Sequence, residues 1–288
     1  MSAVPRWPRP FFQRTDHLAR VSVVAFGAAN PSAPVEPGAQ EGWPDACAWP
    51  EALRLRAYDL GDPGQMSLFE HCLAGSIRDG ATHTLGAASG RLDTARVAIA
   101  IDGEFADPSD LAHLQMVHAT LRWLARDCEV FAALNQTSIE WTDVAILAHT
   151  PASAVCRLAD WIGMVFETDP DPRFGRVLHT RGMSQFGRPD IMMVGFPDEV
   201  VSAACEAINT VANSLAKGAG LRDGDRVLVA RLSDGGTFER VDGIVTALRP
   251  DDNGPDVGLG NEGFILRLED GVLRRLQEGI DPDGRDPT

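Results

Sequence analysis

The spacing of apolar residues changes along this chain, and the change decides what it can fold into. Leu111, Leu114, Val117, Leu121 and Leu124 recur three and four apart, so residues 109–127 form an amphipathic helix with one face toward a core. Asp107-Pro-Ser-Asp110 supplies the start signals just upstream. Val201, Ala204, Cys205, Ile208, Val211, Ala212 and Leu215 repeat the pattern over 198–217, with Asp198 as the N-cap and Gly218 or Gly220 as the stop. Around these helices lie runs of strand length: Val21–Gly27, Arg96–Ile101, Val130–Leu134, Trp161–Glu167 and Ile191–Phe196. Beyond Gly220 the pattern turns β-like, at Arg226–Leu232, Phe238–Leu248 and Phe264–Leu268, with Gly- and Asp-rich turns between. The fold predicted is α+β: a mixed or antiparallel sheet packed with helices, plus a C-terminal β-rich segment. Residues 1–220 make the body, 221–280 a β-rich appendage in the same or a separate domain, and 281–288 a polar tail.

Other stretches carry weaker signals. Pro31, Pro34, Pro37, Pro44 and Pro50 mark residues 30–50 as a long loop, with Trp43 and Trp49 pinning it to the body. A short helix is expected around Met66–Ala74, and Trp141–Leu147 reads equally as a strand or a helical turn. Arg6, Arg9, Arg14 and Arg20 precede the apolar run Val21–Ala29 in the manner of a signal peptide. The prolines among them, Asp16 and the shortness of the run favour a first core strand instead.

Charge and residue usage narrow the function. The formal net charge is −15, from 41 acidic and 26 basic residues, which repels phosphate backbones and anionic membranes and suits a basic protein partner. No stretch of about 18 apolar residues predicts a membrane helix. The five cysteines, Cys47, Cys72, Cys128, Cys156 and Cys205, form no Cys-x-x-Cys and fit a reducing cytoplasm. Lys217 is the single lysine, at a helix end, so Schiff-base chemistry would have to use it. The seven histidines make no metal-binding spacing. Gly258-Leu-Gly-Asn-Glu-Gly263 matches the dinucleotide motif by letter, but a strand rather than a helix follows. Asp251–Glu262 has the length of a calcium loop, but Pro255 and Asp256 stand where a ligand and a glycine are needed. There is no Gly-x-Ser-x-Gly. No metal and no cofactor are expected.

The most distinctive block is His179-Thr-Arg-Gly-Met-Ser-Gln-Phe-Gly-Arg-Pro-Asp-Ile191. It reads as the turn of a hairpin between the runs at Trp161–Glu167 and Ile191–Phe196. Gly182 and Gly187 allow positive φ, and Pro189 keeps Arg188 extended. Met183 and Phe186 pin the turn. The polar His179, Arg181, Arg188 and Asp190 are expected as exposed loop groups and are the candidate binding residues. A Ser184–His179–Asp190 triad is chemically conceivable but needs a tertiary arrangement that proximity in sequence does not supply.

The stretch DPDPRFGRVLHTRGMSQFGRPDIMMV, followed by a helix and LRDGDRV, resembles an uncharacterised bacterial family, a domain of unknown function. An aromatic residue or His, a Gly-Met or Gly-Leu pair, Phe-Gly or Leu-Gly, and Pro-Glu or Arg-Pro-Glu recur there in this order, and Asp190 stands where a glutamate is usual. The match covers about residues 161–230. The resemblance implies no activity and no catalytic residues. Some relatives of that family resemble immunity or toxin-associated proteins of bacterial conflict systems. The expectation is a cytoplasmic, non-catalytic interaction protein that turns an acidic surface toward a basic partner. The alternatives are a hydrolase built around the 179–191 hairpin and a structural subunit of a larger assembly.

Overall fold

The protein is described here from a computed structural model over residues 4–29, 49–149, 155–167, 169–228, 232–234, 237–239, 244–248 and 263–268. The fold is α+β, as the apolar spacing predicts. Backbone contacts divide the chain into two compact units. The first takes residues up to Arg9, Thr15–Trp161 and Ser184–Gly187, and the second takes Pro10–Arg14, Ile162–Met183 and the residues from Arg188 on.

The first unit is built on β1 (Leu18–Gly27), β2 (Leu53–Asp59), β3 (Val97–Ala106), β4 (Val130–Asn135) and β5 (Glu140–Asp143). Its helices are α1 (Pro63–Met66), α2 (Gly75–Leu85), α3 (Ala112–Asp127) and α4 (Val144–His149). The strands form one antiparallel sheet in the order β2-β3-β1-β4-β5. β1 sits at the centre and pairs with β3 along its whole length, from Leu18↔Ala106 to Gly27↔Val97. Its C-terminal half and the VAIAI run of β3 are buried on both faces, which is why they read as continuous apolar runs rather than as alternation. Val24, Phe26, Ala98, Leu134 and Trp141 on one face pack against Phe69, Cys72, Ala81, Leu85 and Leu92. α3 buries more than the single face its periodicity implied, since His113, Gln115, Thr120 and Arg122 are also inside. Such burial requires partners. Gln115 donates to the Pro5 carbonyl and accepts from the Trp7 N–H, and Thr120 donates to the Met116 carbonyl.

The second unit contains β6 (Gly163–Phe166), β7 (Val177–Arg181), β8 (Asp190–Val194), α5 (Val201–Ala216), β9 (Arg226–Leu228), β10 (Leu232–Asp234), β11 (Thr237–Glu239), β12 (Ile244–Leu248) and β13 (Gly263–Leu268). Six of these strands form a mixed sheet in the order β6-β7-β8-β13-β12-β9, in which β8 and β13 run parallel. β10 and β11 form a separate two-stranded ribbon. The β-rich segment after 220 therefore shares a sheet with β6, β7 and β8. The division of the chain falls at 161/162 and not near 220.

Several expectations are corrected. The runs around 161–167 and 191–196 do not pair with each other. β7 lies between them and pairs with both β6 and β8, and it escaped notice because His179 and Thr180 interrupt its apolar character. β2 escaped for a related reason, as it is an edge strand whose Arg54 and Arg56 are exposed. Asp198 does not cap the helix with its side chain. Its carboxylate receives two bonds from the Arg176 guanidinium instead, one of 2.9 Å. Around Met66–Ala74 the chain forms α1, capped by Asp62 through the Gly64 and Gln65 N–H groups, and then a 3-10 turn at Glu70–Leu73. Trp141–Leu147 is both of its readings in succession, β5 and then α4. Most of the Pro-rich loop at 30–50, Cys47, the glycine motif and calcium-length loop at 251–263, and the tail at 281–288 lie outside the described residues, apart from Gly263 in β13. Among the described residues no helix is long and apolar enough to cross a membrane.

Candidate functional site

The expectation that the polar residues of the 179–191 block are exposed is corrected. His179, Arg188 and Asp190 are 0%, 1% and 3% exposed, and Arg181 is half-buried. Each buried group is held by the backbone around it. Asp190, first in β8, accepts from the Thr180 hydroxyl at 2.8 Å and the Met183 N–H at 3.2 Å, and so fixes the turn that Gly182 opens at φ +106°. Burial pushes its carboxyl up to about 6, against the lowering effect of these bonds and of His179. Arg188 donates to the carbonyls of Ala219 at 2.9 Å, Gly218 at 3.0 Å and Gln13 at 2.8 Å, which places a cation over the C-terminal end of α5. His179 faces two acceptors, Glu167 Oε1 and the Thr180 carbonyl, each at 3.1 Å. Asp190 in turn is taken up by Thr180 and Met183, so no charge-relay geometry of the Ser184–His179–Asp190 kind is assembled from these bonds. Met183 and Phe186 are fully buried, as their pinning role requires, and Gly187 has φ +60°. Pro189 follows Arg188 directly into β8.

Gln185, which the sequence reading passed over, is the hub of the block's central segment. It is fully buried in the first unit. Its side chain donates to the Trp161 carbonyl at 2.7 Å and accepts from Asn135 Nδ2 at 2.9 Å, and its own carbonyl accepts from His113 Nε2 at 2.9 Å. That last bond puts the proton of a neutral imidazole on Nε2, because burial holds His113 down to about 4. Trp161 and Asn135 both line a cavity of about 410 Å³ within the first unit, so Gln185 backs its wall.

This cavity is the candidate site. β5 contributes Glu140, Trp141 and Asp143, α3 contributes His118, α4 contributes Ile146, and the turn before residue 162 contributes Arg157, Asp160 and Trp161. Asp143 is committed to α4, accepting from the Ala145 N–H at 2.9 Å and the Ile146 N–H at 3.2 Å. The Trp141 indole donates to the Ile77 carbonyl at 2.8 Å, which locks that wall. Glu140 stands at the exposed start of β5, and its partial burial raises it. Burial also raises Asp160, against the lowering pull of Arg157 at 3.9 Å. Burial, with the Arg122 charge, holds His118 down to about 4, so it is neutral at pH 7. The arrangement presents two solvent-facing carboxylates, Glu140 and Asp160, at a recess lined by two buried tryptophans. It suits the reception of a cation.

A second cluster is chemically quieter. Cys72 Sγ lies 3.2 Å from His71 Nε2 and accepts from Gln136 at 3.4 Å, but the thiol is fully buried and burial pushes it up, away from the thiolate a nucleophile needs. Among the described residues no three His, Cys, Asp or Glu side chains are grouped to hold a metal ion. A comparison of the chain with family models, curated proteins and solved structures finds no match.

Proposed function

We propose that this protein is a non-catalytic interaction module of the bacterial cytoplasm. In this reading it binds a basic partner protein over the mouth of the first unit's cavity, in the manner of an immunity protein. The observation that carries this reading is the pairing of acid and apolar surface on one wall. Glu140 and Asp160 are exposed carboxylates raised by partial burial, and Ile146, which lines the same cavity, is 67% exposed. An apolar contact ringed by polar groups is the anatomy of a recognition patch, and a partner cation would restore the stabilisation these carboxylates have lost. The net charge of −15 supports the choice of a basic partner, since it speeds encounter with positively charged surfaces. The four described cysteines are free thiols, in keeping with a reducing compartment.

The test is affinity capture with the full chain, read by mass spectrometry, beside the double variant Glu140→Gln/Asp160→Asn. The expected result is one stoichiometric basic partner, released by raised salt and lost in the folded double variant. A partner held equally by both proteins would place the interaction elsewhere, and the absence of any partner would overturn the reading.

A further inference from the structure

We infer that the cavity of the first unit receives the guanidinium of a single arginine side chain from the partner. This rests on the reading of the chain as a binder of a basic protein, and adds the chemical group that is recognised.

Three features of the wall select a cation. Glu140, Asp143 and Asp160 oppose the single cation Arg157, and His118 is neutral, so the wall carries a net charge of −3 + 1 = −2. Arg157 is itself 68% exposed and holds Asp160 only at 3.9 Å, a loose contact that leaves it free to swing toward solvent. The volume of about 410 Å³ lies within the range of sites that enclose small ligands, so a long side chain enters without rearrangement of the fold.

Two further features select arginine over lysine. The carboxylates stand on separate elements, Glu140 on β5 and Asp160 on the turn before Trp161, and a guanidinium with its fork of five N–H donors serves spread acceptors better than a compact ammonium. The recess is walled by Trp141 and Trp161, and a guanidinium is the more weakly hydrated cation and the better neighbour of indole rings.

The experiment titrates the full chain with N-acetyl-L-arginine N-methylamide and follows the indole N–H signals of Trp141 and Trp161 by NMR, assigned through Trp→Phe variants. The neutral citrulline analogue and the lysine analogue are run beside it. The expected result is a saturable shift of both signals by the arginine probe, with a dissociation constant on the order of 1 mM for so small a ligand. The citrulline analogue leaves the signals unmoved, the lysine analogue binds at least threefold more weakly, and Glu140→Gln weakens the arginine probe about tenfold. Folding of the variant is checked by the dispersion of the remaining spectrum. No shift with the arginine probe, while the captured partner is still lost in Glu140→Gln/Asp160→Asn, overturns this inference and leaves the interaction module standing. Equal binding of lysine or citrulline analogues overturns the assignment to a guanidinium. Saturable binding of the arginine probe with no partner captured supports the ligand class and overturns the module.

Discussion

The two units bury ionisable groups in opposite ways. The first holds imidazoles that its interior keeps neutral, His113 and His118, and an internal ion pair in which Arg9 and Asp107 compensate each other at 2.9 Å. The second buries a carboxylate, Asp190, and a guanidinium, Arg188, answered by backbone and hydroxyl groups. Paired charges and neutral rings tolerate a dry interior. A carboxylate among dipoles is only partly compensated, which is why Asp190 is pushed up to about 6. The comparison teaches that one chain can place its acid sensitivity and its alkaline sensitivity in different halves.

The largest effects should come from unpairing these groups. Asp107→Ala removes the carboxylate partner of Arg9, which also donates to the Pro108 and Phe186 carbonyls, and removes the acceptor of the Thr15 N–H. A loss of about 3–5 kcal/mol in urea unfolding is expected. Arg188→Met should cost the second unit about as much, because three carbonyls lose a charged donor at once. If either variant unfolds at the wild-type midpoint, the buried charges are not what holds that unit.

The pH response is the sharper test. His113 and His118 titrate near 4 in the fold and near 6.5 when unfolded, so the stability they give the first unit is present above about 6.5 and is lost as pH falls through 4. Asp190 titrates at about 6 in the fold against 3.8, so the stability it gives the second unit is present below about 3.8 and is lost as pH rises through 6. All tryptophans of the chain fall in the sequence of the first unit, so their fluorescence follows that unit alone. Between pH 6.5 and 4 the fluorescence midpoint should fall, while the protection factors of β7 and β8 amides, corrected for the intrinsic pH dependence of exchange, should rise. The same sign in both probes would refute the contrast. Asp190→Asn keeps an acceptor for Thr180 and removes the charge, so it should flatten the second unit's profile and stabilise it at pH 7 by about 1–3 kcal/mol. The smallest effect belongs to the surface. Arg176→Ala breaks an exposed pair with Asp198, and its midpoint should match the wild type within error.

Apolar spacing carried much of this architecture. The central strands β1 and β3 and the helices α3 and α5 were legible because their burial is continuous or periodic. β7 was not, because its buried polar residues His179 and Thr180 break the apolar run and are satisfied by Glu167 and Asp190, which flank β7 in sequence. The cavity was hidden for a different reason. Glu140 and Trp141 lie on one element, Asp160 and Trp161 on another, and nothing in their spacing says that these elements meet. In the 179–191 block Gly182 and Gly187 do take positive φ, but the strands that flank the turn are β7 and β8 rather than the two apolar runs expected. Exposure was misjudged because a charged residue in a loop-like sequence defaults to solvent, and Arg188 contradicts that default only through the carbonyls that surround it. Gln185 gave no signal at all, since a glutamine becomes a hub only through what it reaches.

The division of the chain into discontinuous segments has a consequence for how the protein can be made. The ribosome completes the sheet strands of the first unit by Asp143, yet Gln185 follows forty-odd residues later, so the nascent unit waits with the donors of His113 and Asn135 unmatched. The second unit has the reverse debt. Phe11 and Gln13, made about two hundred residues earlier, donate to the carbonyls of Lys217 and Gly218, and a Cβ on Gly218 would stand 2.6 Å from the Phe12 Cα. No single cut therefore yields two whole pieces. Release of a finished fold has to follow synthesis through the last segment, and fragments ending at 161 or starting at 162 are expected to be substrates for chaperones and proteases rather than free-standing domains.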